Sequence, residues 1–212
     1  PGHPDNAATV YLGYGRDNSG RVASGLGFNA YQLRRTDAPW FDSGLKVTKT
    51  GGTDGFACTQ GHQNMEGRAL VRAATLEEFI KNPGFAHEMA EAPAPGLTLY
   101  AAYEYKDHKW GMTIDMNSCI GCKTCVIACQ AENNIPVVGK AEVKRGRHMH
   151  WLRIDTYHEG TAENPKSYFQ PVPCMQCENA HCEVVGPVGA TGPSTEGLNA
   201  MVDNRCVGTP SY

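Results

Sequence analysis

Four cysteines stand at Cys119-x2-Cys122-x2-Cys125-x3-Cys129, and no other feature restricts the folding of this chain as strongly. A loop with three cysteines at two-residue gaps can curl around a small body and present three thiolates to it. Gly121 relieves that curl, because glycine accepts positive φ without steric cost. The fourth cysteine, three residues further on, falls on the helix that should follow. In the bacterial two-cluster arrangement, the last cysteine of such a run ligates the other cluster. Cys119, Cys122 and Cys125 are therefore expected to hold one iron–sulfur cluster, and Cys129 to reach toward a second. Such runs usually end in Cys-Pro; here Gln130 follows Cys129.

The other cysteines extend the pattern. Cys174-x2-Cys177-x4-Cys182-x3-Gly186-Pro187 has the shape of a second run whose last cysteine is glycine. Cys206-Val207-Gly208-Thr209 starts what reads as a third. Of the nine cysteines, only Cys58 precedes Cys119. An odd, clustered set is a poor match to a disulfide framework. Residues three apart on a curled loop also rarely meet disulfide geometry. Zinc is the competing metal: Cys119, Cys122, Cys174 and Cys177 would make a four-cysteine site. That site would leave Cys125, Cys129 and Cys182 without a role. Cys58 has no second cysteine nearby and is expected as a small buried residue.

Composition excludes some classes. The 212 residues carry a formal net charge of −3, so no strong basic field is available for nucleic acid. Hydrophobic residues at 41% and charged residues at 19% are ordinary globular usage. No run approaches the roughly 18 apolar residues of a membrane span. Pro1-Gly2-His3-Pro4-Asp5 shows no signal-peptide pattern. The chain starts without Met and stops six residues after Cys206, which suggests an internal fragment of a longer subunit.

Two regions and a connector are expected. Residues 1–90 read as β-rich, with strand candidates Thr9-Val10-Tyr11-Leu12, Gly27–Leu33 and Leu45–Lys49 separated by glycine-rich turns. A short helix should start at Thr75, with Glu78 completing a capping box. Residues 91–109, opening with Glu91-Ala92-Pro93-Ala94-Pro95-Gly96, read as a linker, or more plainly as a loop. Residues 110–212 read as a ferredoxin-like domain. It should contain a strand at Trp110–Asp115, a helix at Val126–Glu132, a strand at His150–Tyr157 and an extended run at Tyr168–Pro173. The fold class is thus α+β.

Weaker candidates have bland readings. His148 and His150 would share a strand face, by default a solvated one. His181 could donate to a cluster sulfur, and a surface histidine is the default. His62 and Glu66 read as structural, and Arg16, Arg21 and Arg68 as salt-bridge partners. Gly13-x-Gly15 is too short for a dinucleotide fingerprint. No nucleophile–base pair and no paired carboxylates are evident.

The stretch from Cys119 to Lys140 resembles the four-cluster ferredoxin-type subunits of molybdopterin oxidoreductases, especially the iron–sulfur subunit of alternative complex III, a quinol:electron-acceptor oxidoreductase. Gly146–Asp155, Pro173–Asn179 and Glu196–Asn199 continue that resemblance. Leu12–Arg16, Gly25–Tyr31 and Met65–Arg68 are similar to the end of that subunit's molybdopterin-enzyme-like region. The resemblance implies a barrel-like closing region in residues 1–90 without molybdopterin. It implies 4Fe-4S clusters, with one 3Fe-4S cluster as a variant, on Cys119, Cys122, Cys125, Cys129, Cys174, Cys177, Cys182 and Cys206. It also implies quinol-binding integral membrane subunits and multihaem cytochrome c subunits as partners, at the periplasmic face of the bacterial cytoplasmic membrane. In that family the first motif shares clusters with the fourth and the second with the third, so this chain alone should not assemble the full set. The expected role is single-electron transfer in a quinol-oxidising complex. The alternatives are the same role in a molybdenum reductase, or a zinc-stabilised structural module.

Overall fold

The computed structural model describes residues 3–90, 92–94, 96–202 and 204–207. Pro1, Gly2, Glu91 and Pro95, with Gly208, Thr209 and Tyr212 at the third cysteine group, lie outside the described residues. The chain divides into two compact units: Gln60–Pro136 with the described residues from Met149 onward, and residues 2–59 with Val137–His148.

The first unit is organised by an antiparallel hairpin. β1 (Leu152–Gly160) pairs with β2 (Pro165–Pro173) in a register running from Leu152↔Pro173 to Gly160↔Pro165. Pro165, Pro171 and Pro173 lack amide donors, which suits a strand whose outer edge pairs with no other strand among the described residues. The other edge of β1 is closed in two ways. The amide of Gln60 acts as a one-residue strand, accepting from Thr156 N at 2.8 Å and donating to Thr156 O at 2.9 Å. His158 N then donates to Gln63 O at 2.9 Å, beside an Asn64↔His158 bridge.

α3 (Thr124–Glu132) packs against β1. Val126 on the helix and Ile154 on the strand are both buried, as is Ile135 just beyond the helix end. Further along, α5 (His181–Val185) packs on β3 (Thr191–Pro193), which pairs with β4 (Asn199–Met201). Ala180 and Ala190 are buried at that junction's two ends. α1 (Leu76–Lys81) starts as expected: Thr75 Oγ1 accepts from Glu78 N, and the Glu78 carboxylate accepts from Thr75 N at 2.7 Å. α2 (Phe85–Glu88) follows, with Phe79 and Phe85 in edge-to-face contact.

The second unit is mostly loop. Its regular pieces are a 3-10 turn, Ala30–Leu33, capped by Asn29, and α4 (Lys140–Lys144). Gly15 N donates to Leu26 O and Gly25 N to Arg16 O, both at 2.8 Å, so the two glycine-rich segments are paired. At Gly15 (φ +70°) a Cβ would stand 2.2 Å from Asn29 N, so that pairing requires glycine.

The expected strands at Thr9–Leu12, Gly27–Leu33 and Leu45–Lys49 do not form, and among described residues 3–75 no strand is present. Trp110–Asp115 is not a strand either. Alternation creates a face, but a strand also needs a hydrogen-bonded neighbour. Val47, 77% exposed, has neither neighbour nor cover. Cys58 is exposed rather than buried, because its unit offers almost no core: Ala30 is its single buried apolar residue among those described.

Candidate metal centre

The first cysteine loop is set up by Asp115. Its carboxylate accepts from Asn117 N at 2.9 Å and Ser118 Oγ at 2.7 Å, turning the chain into Cys119. The Ser118 hydroxyl, then the Asn117 amide, hold Asp115 below the ordinary carboxylate range. The chain then reverses twice through left-handed residues, Gly121 (φ +67°) and Lys123 (φ +62°), on either side of Cys122. At Gly121 a Cβ would meet the Phe169 ring at 2.5 Å, so the loop lies directly on β2. Lys123, as the α3 N-cap residue, adopts the costly left-handed conformation without making a side-chain cap. Gln176 (φ +50°) makes the equivalent left-handed step before Cys177.

The sulfurs meet distinct environments. Cys122 Sγ lies 3.4 Å from Thr124 Oγ1, and hydrogen bonding from that hydroxyl and from the Thr124 amide lowers the thiol pKa, favouring thiolate, the ligating form. Cys129 and Cys182, on α3 and α5, are half-buried, whereas Cys122, Cys125, Cys174 and Cys177 are exposed. Cys119 is half-buried at the loop entry. Cys206 lines a pocket of about 330 Å³ with Asn133, Ile135, Met149, Trp151 and Met201, beside the C-terminal end of α3.

Residues 100–110, expected as linker and strand, run over the second cysteine group and are tied to it. Tyr100 OH is hydrogen-bonded to His181 Nε2 at 2.9 Å, Tyr105 OH donates to Glu178, and Trp110 Nε1 donates to Glu196 at 3.3 Å. The Glu178 carboxylate, next to Cys177, pushes Tyr105 up to about 12. His181 thus serves Tyr100 rather than a sulfur. His148 and His150 precede β1 and share no strand face; His150 Nδ1 lies 3.5 Å from Gln130 Nε2. Arg68 pairs with Glu66 at 3.4 Å.

None of the nine cysteines is in a disulfide. Among the described residues no three His, Cys, Asp or Glu side chains converge on one point. Metal binding couples to folding; what this chain brings is soft thiol donors on loops already curled by left-handed residues and on the helices that follow them. That donor set fits iron–sulfur clusters, which when bound supply one-electron transfer.

Residues 118–190 match the family described as 4Fe-4S dicluster domain, a span that holds every cysteine named above except Cys58 and Cys206. The chain binds 4Fe-4S clusters. Relatives agree. The iron–sulfur cluster-binding subunit of menaquinone reductase from Nitratidesulfovibrio vulgaris is 42% identical over 103 residues, 47% of this chain and 40% of that protein. A selenate reductase subunit from Mesobacillus selenatarsenatis is 36% identical over 102 residues, covering 47% and 31%. The iron–sulfur subunit of arsenate respiratory reductase from a Shewanella species is 33% identical over 98 residues, covering 46% and 38%. The chain therefore spans less than half the length of these relatives. No helix among the described residues is long and apolar enough to cross a membrane.

Thr124, Asn133, Asn199, Lys123 and Gln176 join the site without being marked for it by the cysteine motifs. Only Asn133, four residues after Cys129 on a helix, carries a readable spacing signal.

Proposed function

We propose that this chain is an electron-transfer subunit of a membrane-associated reductase complex whose catalytic partner holds molybdenum. The observation that carries this reading is the 42% identity over 103 residues to a cluster-binding reductase subunit. Apolar side chains beside the ligands support it: Ile120, Ile127, Met175 and Val184 are all exposed, as a subunit covered by partners would leave them. The cysteine loops hold the clusters, the half-buried helical cysteines limit water at the sulfurs, and the 100–110 segment fixes the second loop.

A second reading, the quinol-oxidising alternative complex III, is favoured by the fused N-terminal half. The match to the menaquinone reductase subunit covers 47% of this chain, while Leu12–Arg16 and Gly25–Tyr31, the segments carrying the wider resemblance, are joined by the Gly15–Leu26 and Gly25–Arg16 hydrogen bonds. Anaerobic isolation of the tagged complex from its native membranes separates the two. Molybdenum stoichiometric with this chain is the expected result. Multihaem cytochrome c in place of molybdenum would transfer the proposal to the second reading, and zinc in place of iron would overturn both.

A further inference from the structure

We infer that Asn133 and Asn199 are positioning residues that set the reduction potential of the cluster ligated by Cys129 and of that ligated by Cys182 through amide N–H···S hydrogen bonds. Asn133 Nδ2 points at Cys129 Sγ at 3.6 Å while also donating to Cys129 O at 3.0 Å. Asn199 Nδ2 points at Cys182 Sγ at 3.9 Å, and is held in place by Glu183 Oε1 at 3.1 Å. The arrangement occurs twice with the same parts. In each case the cysteine is the half-buried helical one of its group, and an asparagine side chain donates to it. The two donors reach their positions by unrelated routes. Asn133 is the C-cap of α3, whereas Asn199 opens β4, 17 residues beyond the cysteine it meets.

The physics gives the sign. Reduction adds one electron, and the added negative charge spreads over the ligating sulfurs. A donor aimed at such a sulfur stabilises the reduced state more than the oxidised one, which raises the potential. Partial burial strengthens the effect, because water competes less for the sulfur. Thr124 makes a comparable contact to Cys122, but that sulfur is exposed, so solvent supplies much of the same stabilisation when the hydroxyl is removed.

This inference rests on Cys129 and Cys182 being ligands, and the test keeps the two apart. The holo-complex is prepared with Asn133→Leu, Asn199→Leu, the double variant and Thr124→Val, and each is titrated by redox potentiometry with EPR detection, alongside iron counting. Each Leu variant should keep its iron and lower the potential of one cluster by about tenfold in its one-electron reduction equilibrium, equivalent to 59 mV. The double variant should combine the two shifts, in one cluster if Cys129 and Cys182 share it and in two if they do not, and Thr124→Val should shift no cluster by as much. Where a Leu variant loses iron, the isosteric Asn→Asp replacement is titrated instead. Removing the donor and adding negative charge should then lower the potential further. Unchanged potentials with full iron in the Leu or Asp variants would overturn the inference. Full iron and unchanged EPR in Cys129→Ser and Cys182→Ser would instead overturn the ligand reading beneath it.

Discussion

The unit that carries the cysteine loops and the unit built from residues 2–59 and 137–148 are held by different forces. The first has a hairpin of two nine-residue strands, a strand edge closed by Gln60, and all but one of the buried apolar residues found among those described. The second has paired glycine turns, a cation–π contact of Arg34 with Trp40 at 4.9 Å, and ion pairs from α4 to Asp54. Its Phe41, Val47 and Phe56 all stay exposed. Cluster-holding loops need a rigid base, since ligand directions decide whether the sulfurs can meet one cluster. The difference teaches that the chain places nearly all of its few core residues in the unit that carries its cysteine loops. The rest of its apolar surface stays exposed.

The sharpest way to break this comparison is to ask whether metal binding is confined to the first unit. Cys122→Ser should lose the iron of one cluster, because a serine oxygen is a harder donor than the thiolate that Thr124 favours. Cys58→Ser, in the other unit, should lose none. Iron and sulfide analysis after anaerobic purification decides it; iron loss on Cys58→Ser would show that the second unit shares the site.

Packing gives the next largest contrast. Ile154→Ala, beneath α3, should destabilise the first unit by about 2 kcal/mol, the low end for such truncations. Val47→Ala should stay within about 0.5 kcal/mol, as exposed substitutions do. Urea unfolding of the two variants checks both, and equal effects would erase the distinction. Gln60→Ala should cost about 1 kcal/mol for the lost pair of hydrogen bonds, with its signature in hydrogen exchange. Protection at Thr156 N should fall while that of residues bonded across the hairpin persists.

What is legible in the sequence is local. The Thr75–Glu78 capping box is a four-residue pattern, and both of its reciprocal bonds form. The α3 helix and both long strands follow from short-range periodicity, with most boundaries shifted by two or three residues. The cysteine spacing identifies the chemistry, because iron–sulfur ligation is itself a matter of short spacing. What is not legible depends on distant partners. Leu45–Lys49 alternates well, but no neighbouring strand reaches it. Tyr100, Tyr105 and Trp110 bind residues 81, 73 and 86 positions away, so their segment looks like a linker when only local signals are weighed. Lys123 and Gln176 adopt left-handed backbone with side chains that give no warning of it. Asn199 meets Cys182 through the β3–β4 fold, which no local pattern announces.

The smallest expected effect tests how the second unit is held. Asp54 accepts a hydrogen bond from Lys140 and lies 3.8 Å from Lys144 Nζ, joining α4 to the glycine-rich segment. The bond to Lys140, then the charge of Lys140, hold the Asp54 carboxyl below its ordinary value. A folded value below the unfolded one, about 3.9, means the contribution is fully present above that unfolded value. It is lost as the pH falls through the lower folded value. Because Asp54 and Lys140 are well exposed, the contribution is modest and salt screens it. In an NMR titration the Asp54 carboxyl should therefore titrate below a free aspartate, and return to the ordinary value in Lys140→Ala or in concentrated salt. The methyl resonances of Val126, Ile135 and Ile154 in the first unit should not respond to salt over the same range, because those buried side chains carry no charge to screen. An Asp54 that titrates as a free side chain would mean that the ion pairs do not hold α4, and that turn geometry alone organises the second unit.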